Sequence, residues 1–363
     1  MGRRVAVDLS ARARHRYPEA AGVGGQGTVG VRCPTQEGAE MRAVQVREPG
    51  GPQALTVVEI PEAEPGPGQV RIRVAAAGVN FIDVYHRTGA YPLALPFVPG
   101  LEAAGTVEAV GPEVTAFAVG DRVAHGFAPG AYAQTQVVDA AKLVALPDAV
   151  ALETAAALML QGMTAHYLVA STFPLAQGQT ALVHAAAGGV GLLLTQLAVL
   201  RGARVLATTS TEAKAELARG AGADAVIRYD EVDVADAVAE LTDGAGVDVV
   251  YDSVGRATFD ASLASLRPRG MLVLFGQSSG PVEPVDPQRL NAGGSLFLTR
   301  PTIAHYLQTR AELTWRAGEL LELVAQGRLD VRIGETHPLE EASTAHTRLE
   351  ARATTGKVLL LPG

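Results

Sequence analysis

The sequence predicts an α/β protein in two parts, a barrel-like region of short strands and a doubly wound parallel sheet. Three observations predict it. Over residues 41–160, short apolar or alternating runs are separated by Gly/Pro turns. Over residues 164–298, strand-like and helix-like runs alternate. Inside that second region, residues 181–209 read as strand, Gly-rich turn, helix and second strand, about the length a βαβ crossover needs.

The chain in order justifies each element. Residues 1–40 stand apart: Arg3, Arg4, Arg12, Arg14, Arg16 and Arg32 punctuate an Ala- and Gly-rich stretch with little helical or strand period. It lacks the apolar core of a secretory signal, and Asp8 and Glu19 argue against a transit peptide. The expectation is a disordered extension, or translation begun upstream of a natural start at Met41, where a strand pattern opens. Residues 69–75 alternate, with Val70, Ile72 and Val74 against Arg71 and Arg73, after the turn Pro65-Gly66-Pro67-Gly68. Further strands are expected over 106–110, 122–124 and 133–138, broken at Gly111-Pro112 and Gly120-Asp121. Residues 152–169 read as a helix bridging the two parts. The opening βαβ unit has strand 181–185, helix 190–200 stopped at Gly202, and strand 203–207. Helices over 211–219, 232–241 and 257–266 then alternate with strands over 225–228, 247–251 and 271–275. A helix over 309–326 and short strands to 361 return to the mixed character of the first part.

Composition narrows the class. A chain of 363 residues suits about two domains. Hydrophobic residues at 48% and charged residues at 19% describe a soluble globular protein. A net charge of -8 argues against nucleic acid or an anionic membrane as the main partner. Cys33 is the single cysteine, so there is no intrachain disulfide or Cys-based metal cage, which fits the cytoplasm. No apolar run approaches the roughly 18 residues of a membrane span.

The turn Ala186-Ala187-Gly188-Gly189-Val190-Gly191 matches the second and third glycines of the dinucleotide fingerprint, with Ala186 in place of the first. Gly188 lets backbone approach a pyrophosphate, Gly191 lets the helix pack close, and the helix N-terminus offers free N–H groups. One strand later an NAD-binding protein places an acid on the ribose. This strand instead ends in Thr208-Thr209-Ser210, with Lys214 on the next helix. Hydroxyls and an ammonium suit a 2′-phosphate, and Lys214 is one of only three lysines in the chain. NADPH is therefore favoured.

Six ordered stretches carry a resemblance: GVNFIDVY (78–85), PGLEAAG (99–105), HAAAGGVG (184–191), YDSVGR (251–256), FGQSSG (275–280) and GSLFLTRP (294–301). Together they resemble the zinc-independent, zeta-crystallin-like quinone oxidoreductases of the medium-chain dehydrogenase/reductase superfamily. The resemblance implies a GroES-like β-barrel catalytic domain over 41–163 and 299–363, interrupted by a Rossmann domain over 164–298. It also implies NADPH in the cleft between them, and a homodimer.

Carried over residue by residue, it puts Asn80 and Asp83 near the nicotinamide end and Tyr85 and Tyr91 on the wall of the substrate pocket. Thr164 and Tyr167 would face the cleft from the bridging helix. Gly188, Gly189 and Val190 would meet the phosphates, and Ser210, Lys214 and Tyr229 the 2′-phosphate. Ser253, Phe275, Gly276, Ser278, Leu298 and Thr299 would contact cofactor at strand ends, and Glu102 would be a buried structural acid. Zinc-dependent relatives carry Cys where this chain has Asn80 and His where it has Leu101, so no metal is expected. Gly276-Gln277-Ser278-Ser279-Gly280 also fits the hydrolase elbow G-x-S-x-G, but Pro281 and Pro284 follow where a helix would have to start. The implied activity is NADPH-dependent quinone reduction. Its rivals are enone or enal reduction on the same fold, and a non-enzymatic NADPH- or RNA-binding crystallin-type role.

Overall fold

A computed structural model describes residues 39–363. The extension expected over 1–40 lies outside the described residues except at its end, where Glu40 already belongs to a strand. That strand, β1 (Glu40–Gln45), pairs antiparallel with β2 (Thr56–Pro61). The first part continues with β3 (Gln69–Val79), α1 (Phe81–Arg87), β4 (Ala103–Val110), β5 (Arg122–His125), β6 (Thr135–Asp139) and β7 (Val144–Ala145). The bridging helix is α2 (Leu152–Tyr167), and a π-helical turn over Leu168–Thr172 ends it. There follow β8 (Thr180–Val183), α3 (Gly189–Leu200), β9 (Arg204–Thr209), α4 (Glu212–Gly220), β10 (Ala225–Arg228) and α5 (Val234–Leu241). Then come β11 (Val247–Asp252), α6 (Phe259–Ala264), β12 (Leu266–Leu274), α7 (Gln288–Ala292) and β13 (Phe297–Thr299). The chain closes with α8 (Arg310–Ala325), β14 (Ile333–Pro338), α9 (Ala342–Glu350) and β15 (Lys357–Leu361).

Two larger sheets result. The barrel-like sheet runs β14-β15-β3-β4-β5-β7, with β6 paired to β3, so the last strands of the chain complete the first part. The other sheet is parallel and runs β10-β9-β8-β11-β12-β13. Its strand order reverses between β8 and β11, the switch point at whose carboxyl ends an open α/β sheet binds ligand. The expected boundary at 163/164 falls inside α2. That helix is buried almost all round, from Ala155 through Tyr167, because it packs on β3, β4 and β5 of one part and on α3 of the other. A helix with no polar face suits such a sandwiched position.

Three helices differ from the expectation, the five-residue α7 among them. Residues 81–87 lie in the region read as all-β, yet form α1 behind Asn80, whose N–H is bonded by the Asp83 carboxylate. At seven residues it is too short to display a helical period. The third is α9, formed where only short strands were expected.

Candidate active site

At the carboxyl end of β8 the chain reverses through residues 184–188 into α3. The left-handed step falls on Ala185 (φ 50), and the Gly188 N–H closes the turn on the Ala185 carbonyl at 2.9 Å. A Cβ on Gly191 would lie 2.4 Å from the Ala185 oxygen, so only glycine lets α3 start this close to the strand. The amides of Gly189, Val190 and Gly191 open the helix and have no i−4 carbonyl to bond. Beneath the turn a polar chain ties three strands to α6. His184 Nδ1 lies 3.0 Å from the Thr208 hydroxyl and Nε2 lies 3.0 Å from that of Ser262. Ser262 and Thr258 both donate to Asp252, whose other oxygen accepts from the Val254 and Gly255 amides. Burial lowers the His184 pKa and keeps the imidazole neutral. Sequence reasoning missed this chain, although His184 and Asp252 both stand inside motifs it had singled out.

The expected cofactor residues gather along that rim. Ser253 follows β11, while Phe275, Gly276 and Ser278 follow β12, held by Phe275 N–H to the Asp252 carbonyl (2.8 Å) and Ser278 N–H to the Ser253 carbonyl (3.2 Å). Leu298 and Thr299 lie on β13, half-buried. No helix follows Gly280 until Gln288, so the G-x-S-x-G pattern forms no nucleophile elbow. At the other end of the rim Ser210 follows β9, Thr211 caps α4, and Tyr229 is exposed. The Lys214 ammonium reaches the Arg352 carbonyl at 2.7 Å. The Thr209 hydroxyl is buried beside them without a partner.

The opposite wall comes from the barrel part. Tyr85 and Tyr91 lie with ring centroids 5.2 Å apart. Tyr85 is half-buried and faces the Gln277 backbone across the cleft, and burial raises its pKa, so the phenol stays protonated. Thr164 is buried on α2. Tyr167 is not on an open wall: it is 2% exposed and stacked on Tyr306 at 4.3 Å, because α2 turns that face into the core. Asp83 is likewise withdrawn from the cleft. It is fully buried, and its Oδ2 accepts from the Asn80 N–H (2.9 Å) and the Tyr132 hydroxyl (3.0 Å). Burial raises its pKa to about 7 against those bonds.

At the centre stands a group that sequence reasoning only half found. Glu102, expected as a buried acid, is 0% exposed and accepts from the Leu160 N–H at 2.6 Å. Its partner is Lys357 at the head of β15, itself 1% exposed, whose ammonium bonds both Glu102 and Asn80 Oδ1, the latter at 2.9 Å. Asn80 Nδ2 donates to Glu102 at 2.9 Å, and Gln161 Nε2 donates to Asn80 Oδ1 at 3.1 Å. A Cβ on Gly78 would lie 2.7 Å from Lys357 Cε and closer still to Glu102, so the strand must be bare there. The signal for Lys357 was present in the sequence: a single lysine leading the otherwise apolar run KVLLL.

Comparisons with known proteins match two family models. Residues 66–148 match the alcohol dehydrogenase GroES-like domain, and residues 189–325 match a model described as zinc-binding dehydrogenase. The chain is 48% identical to the quinone oxidoreductase of Pseudomonas aeruginosa, over 88% of this chain and 99% of that protein. It is 44% identical to a 2-haloacrylate reductase of a Burkholderia species, over 88% and 98% respectively. Among solved structures, Escherichia coli quinone oxidoreductase in complex with NADPH superposes with a TM-score of 0.86 at 43% identity, covering 89% of this chain and 99% of that one. The zinc in the second model's description does not fit this donor set. Asn80 and Leu101 offer no zinc ligand, and the Asn80 oxygen is already bound to the Lys357 ammonium. Among the described residues no group of three or more His, Cys, Asp or Glu side chains could hold a metal ion.

Asp83 provides a test by pH. Its folded pKa lies above its ordinary 3.8, so its contribution to stability is present below that value and is lost as pH rises toward about 7. Asp83→Asn removes this titration. Relative to wild type, the variant should gain about 2 kcal/mol of unfolding free energy between pH 5 and pH 8 in denaturant titrations. A difference that does not change with pH would contradict the placement of a titrating carboxyl at this position.

Proposed function

The chain belongs to the quinone oxidoreductase family of the medium-chain dehydrogenase/reductase superfamily, and on that premise we propose that it reduces quinones with NADPH in the cleft between its barrel and its parallel sheet. The observation that carries this reading is the pairing of a fingerprint turn at the sheet's switch point with an aromatic wall, Tyr85 and Tyr91, on the facing barrel. The residues present fit the cofactor. The amides that open α3 face outward, Gly188 leaves the turn bare, and Ser210 with Lys214 stands where an NAD-binding site carries an acid.

NADPH, when bound, supplies the hydride. The chain holds its phosphates at Gly188, Gly189 and Val190 and reads the 2′-phosphate through Ser210, Lys214 and Tyr229. Thr164, Ser253, Phe275, Gly276, Ser278, Leu298 and Thr299 line the remaining length. Asn80 and Asp83 act through the buried group that fixes the barrel wall, and Tyr167 acts by packing. Tyr85 and Tyr91 seat the acceptor ring and exclude water, which is the protein's share in cofactor chemistry of this kind. A quinone that accepts hydride becomes a phenolate-like oxyanion, which solvent can protonate after the difficult step. Tyr85 therefore positions the ring and is not required as an acid.

The reading extends to assembly and boundaries. The sheet half covers 164–298 and the barrel half covers 41–163 with 299–363. β13 is the edge strand of the parallel sheet and bears the 55% exposed Phe297, which supports a homodimer joined along that edge. No helix among the described residues is long and apolar enough to cross a membrane, and the single cysteine suits the cytoplasm. A second reading, reduction of an activated alkene, is favoured by the 44% identity to the 2-haloacrylate reductase. In that case the product enolate must be protonated at carbon, and a positioned acid matters.

Two variants test these assignments. Lys214→Ala should weaken NADPH binding by roughly 1.5–3 kcal/mol, the scale of a charge-assisted hydrogen bond, and leave NADH binding nearly unchanged. Equal losses for both would show that Lys214 does not read the phosphate. Tyr85→Phe should lower quinone turnover by less than about tenfold, since no general acid is removed. A loss of about a hundredfold, together with a higher kcat/KM for an enone or haloacrylate than for any quinone, would favour the alkene reading.

A further inference from the structure

The hydrogen bonds around Lys357 fix the orientation of two side-chain amides, and the second is left with an unused atom. An ammonium only donates and a carboxylate only accepts. The oxygen of Asn80 must therefore face Lys357 and its nitrogen must face Glu102, as the 2.9 Å contacts on each side require. The remaining capacity of Asn80 is also taken. Its Nδ2 donates to the Gly78 carbonyl at 3.2 Å, and its Oδ1 accepts from Gln161 Nε2 at 3.1 Å. Asn80 has nothing left to offer a ligand. For Gln161 the outcome is the opposite: its nitrogen must point at the Asn80 oxygen, because its own oxygen there would meet another oxygen. Gln161 Oε1 is thereby turned away from Asn80 toward the fingerprint turn. It is buried without a partner, and a Cβ on Gly189 would lie 1.8 Å from it.

We infer that Gln161 Oε1 is a fixed hydrogen-bond acceptor for the nicotinamide half of the cofactor, taking a ribose hydroxyl or the carboxamide N–H. The inference rests on reading the cleft as an NADPH site. A buried acceptor left unmade is costly, so the site calls for a donor. The pyrophosphate at the opening of α3 carries only acceptors at neutral pH, and an oxidised quinone likewise offers none of the needed donors. The adenosine end lies away at Ser210 and Lys214, beyond β9. Gln161 stands at the other end, on α2 beside Asn80 and the barrel wall. Glycine at 189 follows from the same arrangement, since any side chain there would push the amide aside.

The test is Gln161→Met, which keeps length and removes both polar atoms, read by equilibrium binding to the whole chain without quinone. NADPH affinity should fall by about tenfold, the scale of one hydrogen bond, while 2′,5′-ADP, which lacks the nicotinamide half, should bind as to wild type. The reduced acetylpyridine analogue of NADPH separates the two donors. If the carboxamide donates, wild type prefers NADPH over the analogue and the variant does not; if the ribose hydroxyl donates, both nucleotides lose equally. Either result supports the assignment. Unchanged NADPH affinity, or an equal loss for 2′,5′-ADP, would overturn it. Failure of the wild-type chain to bind 2′,5′-ADP would instead remove the NADPH reading on which it rests.

Discussion

A buried ion pair between Lys357 and Glu102 holds the cleft wall together. Both side chains are all but inaccessible, and each would lose several kcal/mol of hydration on burial if it stood alone. Burial lowers the Lys357 pKa, and the Glu102 charge opposes that shift. Such a pair adds little net stability over a well-packed apolar pair, but removing one partner strands the other at a cost of about 3–5 kcal/mol. What it contributes here is orientation. Lys357 comes from the last strand, Glu102 from the segment before β4, Asn80 from the end of β3, and the Leu160 amide from the helix between the two parts. The ammonium is held between defined neighbours, the Glu102 carboxylate and the Asn80 oxygen.

The cofactor side is organised by a second device, a buried chain of hydrogen bonds. His184, Thr208, Ser262 and Asp252 bind the ends of β8, β9 and β11 to α6 directly below the turn. The turn itself carries a left-handed alanine at 185, a conformation that costs an L-residue about 1–2 kcal/mol and persists only where its surroundings enforce it. Rigid strand ends below and a glycine-only contact at Gly191 supply that enforcement. The two devices meet at Gln161, which bonds Asn80 on one side and presses on Gly189 on the other.

Local signals were read easily and distant ones were not. The strand–turn–helix unit at residues 181–209, the switch from short strands to alternating elements, and Ser210 with Lys214 are all consecutive or nearly so. Period and glycine placement expose such features directly. The bond between Asn80 and Lys357 joins positions 277 apart, and no periodicity connects them. Resemblance placed Asn80, Asp83 and Tyr167 together at the cleft. Folding withdraws two of them from its surface, because a short helix buries Asp83 against the Asn80 amide and α2 stacks Tyr167 on Tyr306. Gln161 was invisible for a different reason: its importance lies in one atom's orientation, which is decided by three neighbours rather than by its own type. Helix α1 was missed although Asn80 with an acid three residues later is a cap-like pattern, since seven residues are too few to show a period.

The central claim is that the buried Lys357–Glu102 pair, and no metal, holds the cleft wall together. Metal analysis of the purified chain, combined with quinone turnover before and after exhaustive chelation, tests it most directly. The account predicts no stoichiometric metal and a turnover that chelation leaves unchanged. One zinc per chain, or a turnover lost on chelation and restored by added zinc, would contradict it.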